Sequence, residues 1–206
     1  METRTHKHAI IVAHPSEDSF TMSVAGAYRT SVESLGHEVI VRDLYRMAFE
    51  PRLLNSEIPR PGGFSPAPDI IAERAAIAEA RTFCFVYPVW FYAPPAIVVG
   101  YIQRVFGMGF GYGGQRGGEN QRLLIGRSLI TFTSSGSPAE WMHKDGGGQA
   151  MRNIFDEHVA EVCGLTVIEH RHYGRVLNAT PKTQIDAHLR DVRATVERCF
   201  APHGQA

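Results

Sequence analysis

The chain has 206 residues, 44% of them apolar, and balances 21 Lys and Arg against 21 Asp and Glu. That length predicts one domain over 1–206, and the apolar fraction excludes a disordered chain. A formal net charge of zero argues against a nucleic-acid binder, which needs a basic face.

The pattern along the chain alternates strand and helix. His8–Ala13 is a short, continuously apolar run, as expected of a strand buried on both faces. Thr21–Leu35 has helical spacing at Met22, Ala25, Tyr28, Val32 and Leu35, and Gly36 follows as a C-cap would. Glu38–Arg42 reads as the second strand. Asp43–Pro68 holds five prolines and no clear period, so it is a long loop with short structured pieces. Asp69–Glu79 is a helix with Asp69 as its expected N-cap. Thr82–Tyr87 is the third strand, and Pro94–Phe106 a helix opened by prolines.

The twenty residues Phe83–Ile102 carry no charge, enough to span a bilayer. Pro88, Pro94 and Pro95 would break such a helix. The stretch therefore reads as buried strand, loop and helix start, with no membrane span. Gly107–Gly126 is glycine-rich, a loop or hairpin excursion. Ser128–Ser134 is the fourth strand, and Ser137–Glu140 has capping-box spacing for a short helical turn. Gln149–Cys163 is a helix ended by Gly164. Leu165–His172 is the fifth strand, and Pro181–Phe200 the closing helix. Five strands each followed by a helix predict an α/β, doubly wound parallel sheet. At this size the flavodoxin-like order 2-1-3-4-5 fits best.

Ligands of such sheets bind beyond the carboxyl ends of the strands. The first of these loops, Ala13–Thr21, is dense in hydroxyls and leads into a helix start, which suits an anion. The same residues fit an ordinary capped turn with Ser19 or Thr21 as N-cap. The third, Tyr87–Pro95, places four aromatic residues around a proline-pinned turn. It suits a flat heteroaromatic ligand, or equally a core lid or subunit contact. The fourth, Thr133–Ser137, offers small side chains and hydroxyls beside it. Gly109–Gly114 satisfies GxGxxG but follows a helix, so the dinucleotide context is missing. Cys84, Cys163 and Cys199 lack metal or disulfide spacing. His6/His8 and His170/His172 are pairs that share a strand face, with no carboxylate placed beside them in sequence. No signal peptide is visible in Met1–His8, and a cytoplasmic location is expected.

These residues carry a family likeness. The chain resembles the flavodoxin-fold NAD(P)H:quinone oxidoreductases, the group that includes mammalian DT-diaphorase and shorter bacterial flavoproteins. His14 followed by Ser19-Phe20 is similar to the family's phosphate loop. Asp43–Pro51 resembles its DLY-x-M-x-F-x-P segment, and Pro68–Glu73 its next helix start. Pro88–Tyr92, Pro95–Ile97 and Arg104–Phe106 resemble its aromatic turn and following helix, and Phe110 and Tyr112 its F-x-Y.

The resemblance implies a flavin whose phosphate side is held by His14, Ser19, Phe20 and Thr21. Its ring would lie against Pro88, Val89, Trp90, Phe91 and Tyr92, with Thr133, Ser134 and Ser135 at the pyrimidine edge. It implies a homodimer in which Tyr112 reaches the partner's site. Tyr112 and His143 are the expected catalytic groups at the acceptor oxygen.

The sequence departs from the family at Thr21, where Asn is usual, and at Ser134-Ser135, where glycines are frequent. The adenine-holding tail of DT-diaphorase has no counterpart, which favours FMN over FAD. NAD(P)H is the expected co-substrate and a quinone-like compound the acceptor. The alternatives are an azo or nitro-compound reductase and a flavin-bearing regulatory subunit of a membrane ion-efflux system. Net charge zero disfavours an acidic one-electron carrier.

Overall fold

The computed structural model describes residues 5–202 apart from 62, 117, 118 and 145, with side chains for all of these except 115, 116, 119, 120 and 143. The elements run β1 (Lys7–Val12), α1 (Phe20–Ser34), β2 (Glu38–Asp43), α2 (Pro68–Ile77), β3 (Ala80–Pro88) and α3 (Ala96–Val105). A hairpin of β4 (Tyr112–Arg116) and β5 (Glu119–Arg122) follows. Then come β6 (Arg127–Ser134), α4 (Ala139–Lys144), α5 (Gly147–Arg152), α6 (His158–Cys163), β7 (Leu165–Tyr173) and α7 (Lys182–Phe200).

The main sheet has the order β2-β1-β3-β6-β7 and every pairing in it is parallel. With the hairpin set aside, this is the expected 2-1-3-4-5 order, and the switch in direction falls between β1 and β3. Pleating sorts the apolar residues of these strands onto two faces. Ala9, Ile11, Phe83, Phe85 and Leu129 pack with Ile70, Ile77, Val98 and Tyr101 of α2 and α3. Ile10, Val12, Cys84, Val86, Ile130 and Phe132 pack with Val24, Tyr28 and Val32 of α1 and Val192 and Val196 of α7. The uncharged stretch from Phe83 is thus the buried β3, a turn and α3. Among the described residues no helix is long and apolar enough to cross a membrane.

Two local features differ from the sequence reading. Pro68 occupies the first turn of α2 with Ala67 as N-cap, and Asp69 lies inside the helix. Asp69 instead binds Arg104 at 3.0 Å. The helix expected over Gln149–Cys163 is α5 and α6 joined by a π-helical turn, Asn153–Glu157. Gly107–Gly126 contains the β4–β5 hairpin, the excursion expected there.

The proline-rich loop after β2 is tied down by charge. Arg104, 2% exposed, holds Glu57 at 2.8 Å. That guanidinium keeps the Glu57 carboxyl at about 2, below its usual range. Removing Arg104 would leave the Glu57 carboxylate buried without its cation, which is far costlier than the pair's net worth.

His8 is buried and its Nδ1 lies 2.8 Å from the Tyr28 hydroxyl. Burial, then the neighbouring His37 and His6, pushes its pKa down to about 3. The folded chain therefore keeps His8 neutral, whereas the unfolded chain protonates it below pH ~6.5. Stability contributed by the neutral form is complete above that pH and falls as pH drops toward 3, by up to about 1.4 kcal/mol per pH unit. Denaturant titrations between pH 7 and 4 should show this slope, and His8→Gln should flatten it. An unchanged slope in the variant would refute the assignment.

Candidate functional site

A cleft of about 560 Å³ lies at the carboxyl end of the sheet, where the loops after β1, β3, β6 and β7 meet. Its position follows from the switch in strand order: connections leave β1 and β3 in opposite directions and open a gap.

The β1 loop is pinned from outside. Arg46, just past β2, donates to the backbone oxygens of His14 at 2.8 Å and Pro15 at 3.0 Å, and binds Glu17 at 3.1 Å. Asp43 accepts from the Tyr45 and Arg46 N–H groups, which sets the turn that presents Arg46. The Ser16 N–H donates to His14 Nδ1 at 3.0 Å. The Ser16 carbonyl lies 3.1 Å from the same nitrogen, so Ser16 holds the imidazole in place in either tautomer. Ser19 is the N-cap of α1, its hydroxyl accepting from the Met22 N–H at 3.2 Å. The first-turn N–H groups of Phe20 and Thr21 have no acceptor within their own helix.

The β3 loop turns at Trp90–Ala93, whose backbone groups bond each other both ways at 3.0 Å. The two central residues, Phe91 and Tyr92, have φ of 52° and 56°. Positive φ at both positions is the type I′ hairpin signature, which ordinarily selects Asn-Gly. Two aromatic residues there are held at a cost of about 1–3 kcal/mol each, and such strain concentrates at functional sites. Phe91 is fully exposed, while the Tyr92 ring lies where a Cβ on Gly147 would sit, 2.5 Å from its nearest carbon. Glycine at 147 lets α5 start against that ring.

The β6 and β7 loops are laced together. Ser135 donates from its N–H to Tyr173 at 3.0 Å, and the Val176 N–H donates to the Ser135 carbonyl at 2.9 Å.

Of the residues expected from sequence, His14, Ser19, Phe20, Thr21, Pro88, Trp90, Ser134 and Ser135 line this one cleft. Val89 is buried, and its N–H is tied to the Ser134 carbonyl at 2.7 Å. Phe91 and Tyr92 stand on the exposed rim. Tyr112 lines a separate, small cavity with Arg74 and Met108. His143 falls on α4, and its side chain lies outside the described residues. Sequence reading missed Val176–Asn178, Thr180 and Ile185, which form the fourth wall. Asn178-Ala-Thr180 stood out only as a glycosylation sequon. The usable signal was a turn after a fifth strand, since the Thr180 hydroxyl accepts from the Leu177 N–H at 2.8 Å.

Thr133 turns inward. Its hydroxyl, 2% exposed as a residue, lies 3.0 Å from His170 Nε2 and 2.9 Å from His172 Nδ1. His170 Nδ1 pairs with Asp156, and Asp156 also accepts from Thr131 at 2.8 Å. His172 Nε2 reaches Ser135 Oγ at 3.0 Å. The His170/His172 pair thus has a carboxylate neighbour after all, supplied by the π turn thirteen residues or more upstream. Met151, Asp156, Ala160 and Cys163 all face inward. In an unbroken α-helix a residue five positions on would point about 140° away. The inserted residue of the π turn removes that offset. Among the described residues no group of three or more His, Cys, Asp or Glu is placed to hold a metal ion.

Comparison with known proteins matches residues 6–196 to the family described as flavodoxin-like fold, so the chain belongs to that family. A Haemophilus influenzae protein named "Uncharacterized NAD(P)H oxidoreductase" is 31% identical over 170 residues, 82% of this chain and 84% of its own. "NAD(P)H dehydrogenase [quinone] 1" of Cavia porcellus is 29% identical over 78% of this chain. The match spans 65% of that longer relative. Among solved structures, an NAD(P)H:quinone oxidoreductase from Methanothermobacter marburgensis superposes with a TM-score of 0.85 at 24% identity, covering 98% of this chain and all of that one. That likeness supports the fold.

The strain at the aromatic turn is measurable. Phe91 makes no buried contact to lose, and Asn accepts the left-handed conformation. Phe91→Asn should therefore stabilise the protein by about 1 kcal/mol in denaturant titrations. A variant no more stable than the parent would contradict the reading.

Proposed function

We propose that this protein is a flavin-dependent NAD(P)H:quinone oxidoreductase built as one flavin-binding domain. The observation that carries it is the cleft itself, which combines an anion end with a flat apolar wall. Its volume of about 560 Å³ is within the ~300–1,000 Å³ usual for small-molecule sites. Supporting it are the family and the names of the NAD(P)H oxidoreductase and quinone dehydrogenase relatives.

The residues present suit FMN. The start of α1, with the Ser19–Thr21 backbone and the His14 imidazole beside it, would hold a phosphate through directed N–H groups and the helix dipole. Pro88 and Trp90 would flank the ring. Ser134 and Ser135 would hydrogen-bond its polar edge, and the Val176–Thr180 wall would cover the linking chain. When bound, the flavin supplies hydride chemistry, accepting from NAD(P)H and giving to a quinone-like acceptor in a ping-pong cycle. The protein's part is to position both reactants in turn on one exposed face. The exposed aromatics Phe91 and Tyr92 of the turn, with Trp141 of α4, would supply the apolar contact for flat substrates.

The same rim is the proposed contact of a homodimer. Trp90 and Phe91 of the aromatic turn, Trp141 of α4 and Ile154 of the π turn are all exposed, large apolar groups that a partner subunit would cover. A partner's Tyr112 would enter the site there, and His143 would stand near the acceptor. A cytoplasmic location accords with three free cysteines, two of them buried.

The purified protein should show flavin absorption, and the flavin released on denaturation should have the mass of FMN. NADPH added without oxygen should bleach the bands, and a simple quinone should restore them. Protein that takes up neither FMN nor FAD would refute the proposal. Arg46→Ala should free the phosphate loop and weaken FMN binding roughly tenfold, about 1.4 kcal/mol, measured by fluorescence titration. Unchanged affinity would show that the clasp is irrelevant to binding.

A further inference from the structure

Five side chains form one hydrogen-bonded file between two cavities. Ser135 stands in the cleft at one end. His172, Thr133, His170 and Asp156 follow in order, each within bonding distance of the next. His170 and His172 also line a second cavity of about 340 Å³ between β7 and the α4–α5 segment. Arg152 lines that cavity too, and its buried Nε has no hydrogen-bond partner among the described residues. A buried donor of that kind in a polar cavity is ordinarily met by water.

We propose that this file is a proton relay that delivers a solvent proton from the second cavity to the cleft through Ser135. The inference rests on the reductase reading. Reducing a quinone with NAD(P)H takes one hydride and one proton, and the proton must come from solvent. A substrate stacked in the cleft closes its mouth to water, so a path from behind has a use there.

The polarity of the file is self-consistent. With Asp156 ionised, His170 Nδ1–H donates to it, and His170 Nε2 accepts from the Thr133 hydroxyl. Thr133 oxygen accepts from His172 Nδ1–H, and His172 Nε2 accepts from the Ser135 hydroxyl. Every middle member donates once and accepts once, which is the requirement for passing a proton along it. Reversing every bond but the one to Asp156, with His170 as the imidazolium, gives the second polarity. The Ser135 hydroxyl is then released from His172 toward the cleft or the Ser137 carbonyl, 3.1 Å away.

In the proposed step a solvent proton adds to an imidazole, whose charge Asp156 matches. His172 Nε2–H passes its proton to Ser135 Oγ while the Ser135 O–H bond breaks toward the acceptor oxygen. The hydride and that one proton complete the hydroquinone, NAD(P)⁺ having left before the acceptor entered. Among the described residues, Asp156, Arg152, Glu169 and Arg171 are charged groups that adjoin the file or line its second cavity. Tyr87 of β3 stays a neutral phenol because burial, with Asp156 nearby, raises its pKa.

Two variants separate a relay from a packing role. His172→Gln keeps hydrogen-bonding atoms but cannot take up one proton and release another, and His172→Ala leaves a space that imidazole can fill. Both should bind FMN within about threefold of the parent, by fluorescence titration. In stopped flow, reoxidation by quinone should slow roughly tenfold or more in both, with the solvent isotope effect changed. Added imidazole should restore His172→Ala.

A His172→Gln variant reoxidised at the parent rate with the parent's isotope effect would overturn the relay. A parent protein that binds no flavin would overturn the reductase reading instead. Independently, ¹⁵N-histidine NMR of flavin-free protein should show a strongly deshielded His170 Nδ1–H that Asp156→Asn abolishes. Its absence in the parent would overturn the file itself.

Discussion

A strand buried on both faces can bear polar side chains only where it ends. β1 and β3 obey this closely, and their alternate residues fill two apolar layers. The polar work of the molecule is thereby pushed to the carboxyl ends of the strands, and the switch between β1 and β3 decides which ends stand apart. Everything in the cleft depends on that displacement. The hydroxyls of Ser19, Ser134 and Ser135 and the backbone of the β1 loop gather there because the sheet excludes them elsewhere.

β6 and β7 relax the rule on one face. Thr131, Thr133, His170 and Asp156 are buried together, and a buried carboxylate is tolerable only when its neighbours satisfy it. Thr131 and His170 do so. The π turn between α5 and α6 is the local cost of aiming Asp156 at them. Removing Asp156 would leave two buried donors unmet, while replacing the whole set with apolar residues would preserve packing and lose the connection to Ser135.

The strands were legible from pattern, and their order from the size of the chain. Continuous apolar runs, helical spacing and glycine caps sufficed for five strands and their helices. The cleft's first and third walls were legible because His14, Ser19 and the Pro88–Tyr92 turn adjoin strand ends. Val176–Thr180 was not, since its place follows from backbone bonds to Ser135 and Ser137 that join loops some forty residues apart. The Asp156–His170 pair was hidden for a different reason. A regular helical period puts Asp156 on the wrong face, and only the extra residue of the π turn brings it inward. Asp69, expected as a cap, was claimed by Arg104, a partner on another helix.

The Arg46 clasp has a consequence for how fast and how cleanly a ligand enters. Two backbone carbonyls of the β1 loop are held by one guanidinium before any ligand arrives. The ordering entropy of that loop is therefore spent during folding, and nearly every molecule in solution stands in a receptive conformation. Association should follow simple second-order kinetics, with a rate that climbs in proportion to ligand concentration and shows no plateau from a slow isomerisation. The heat-capacity change on binding should match the surface covered in the cleft alone, with none added by a loop folding around its guest.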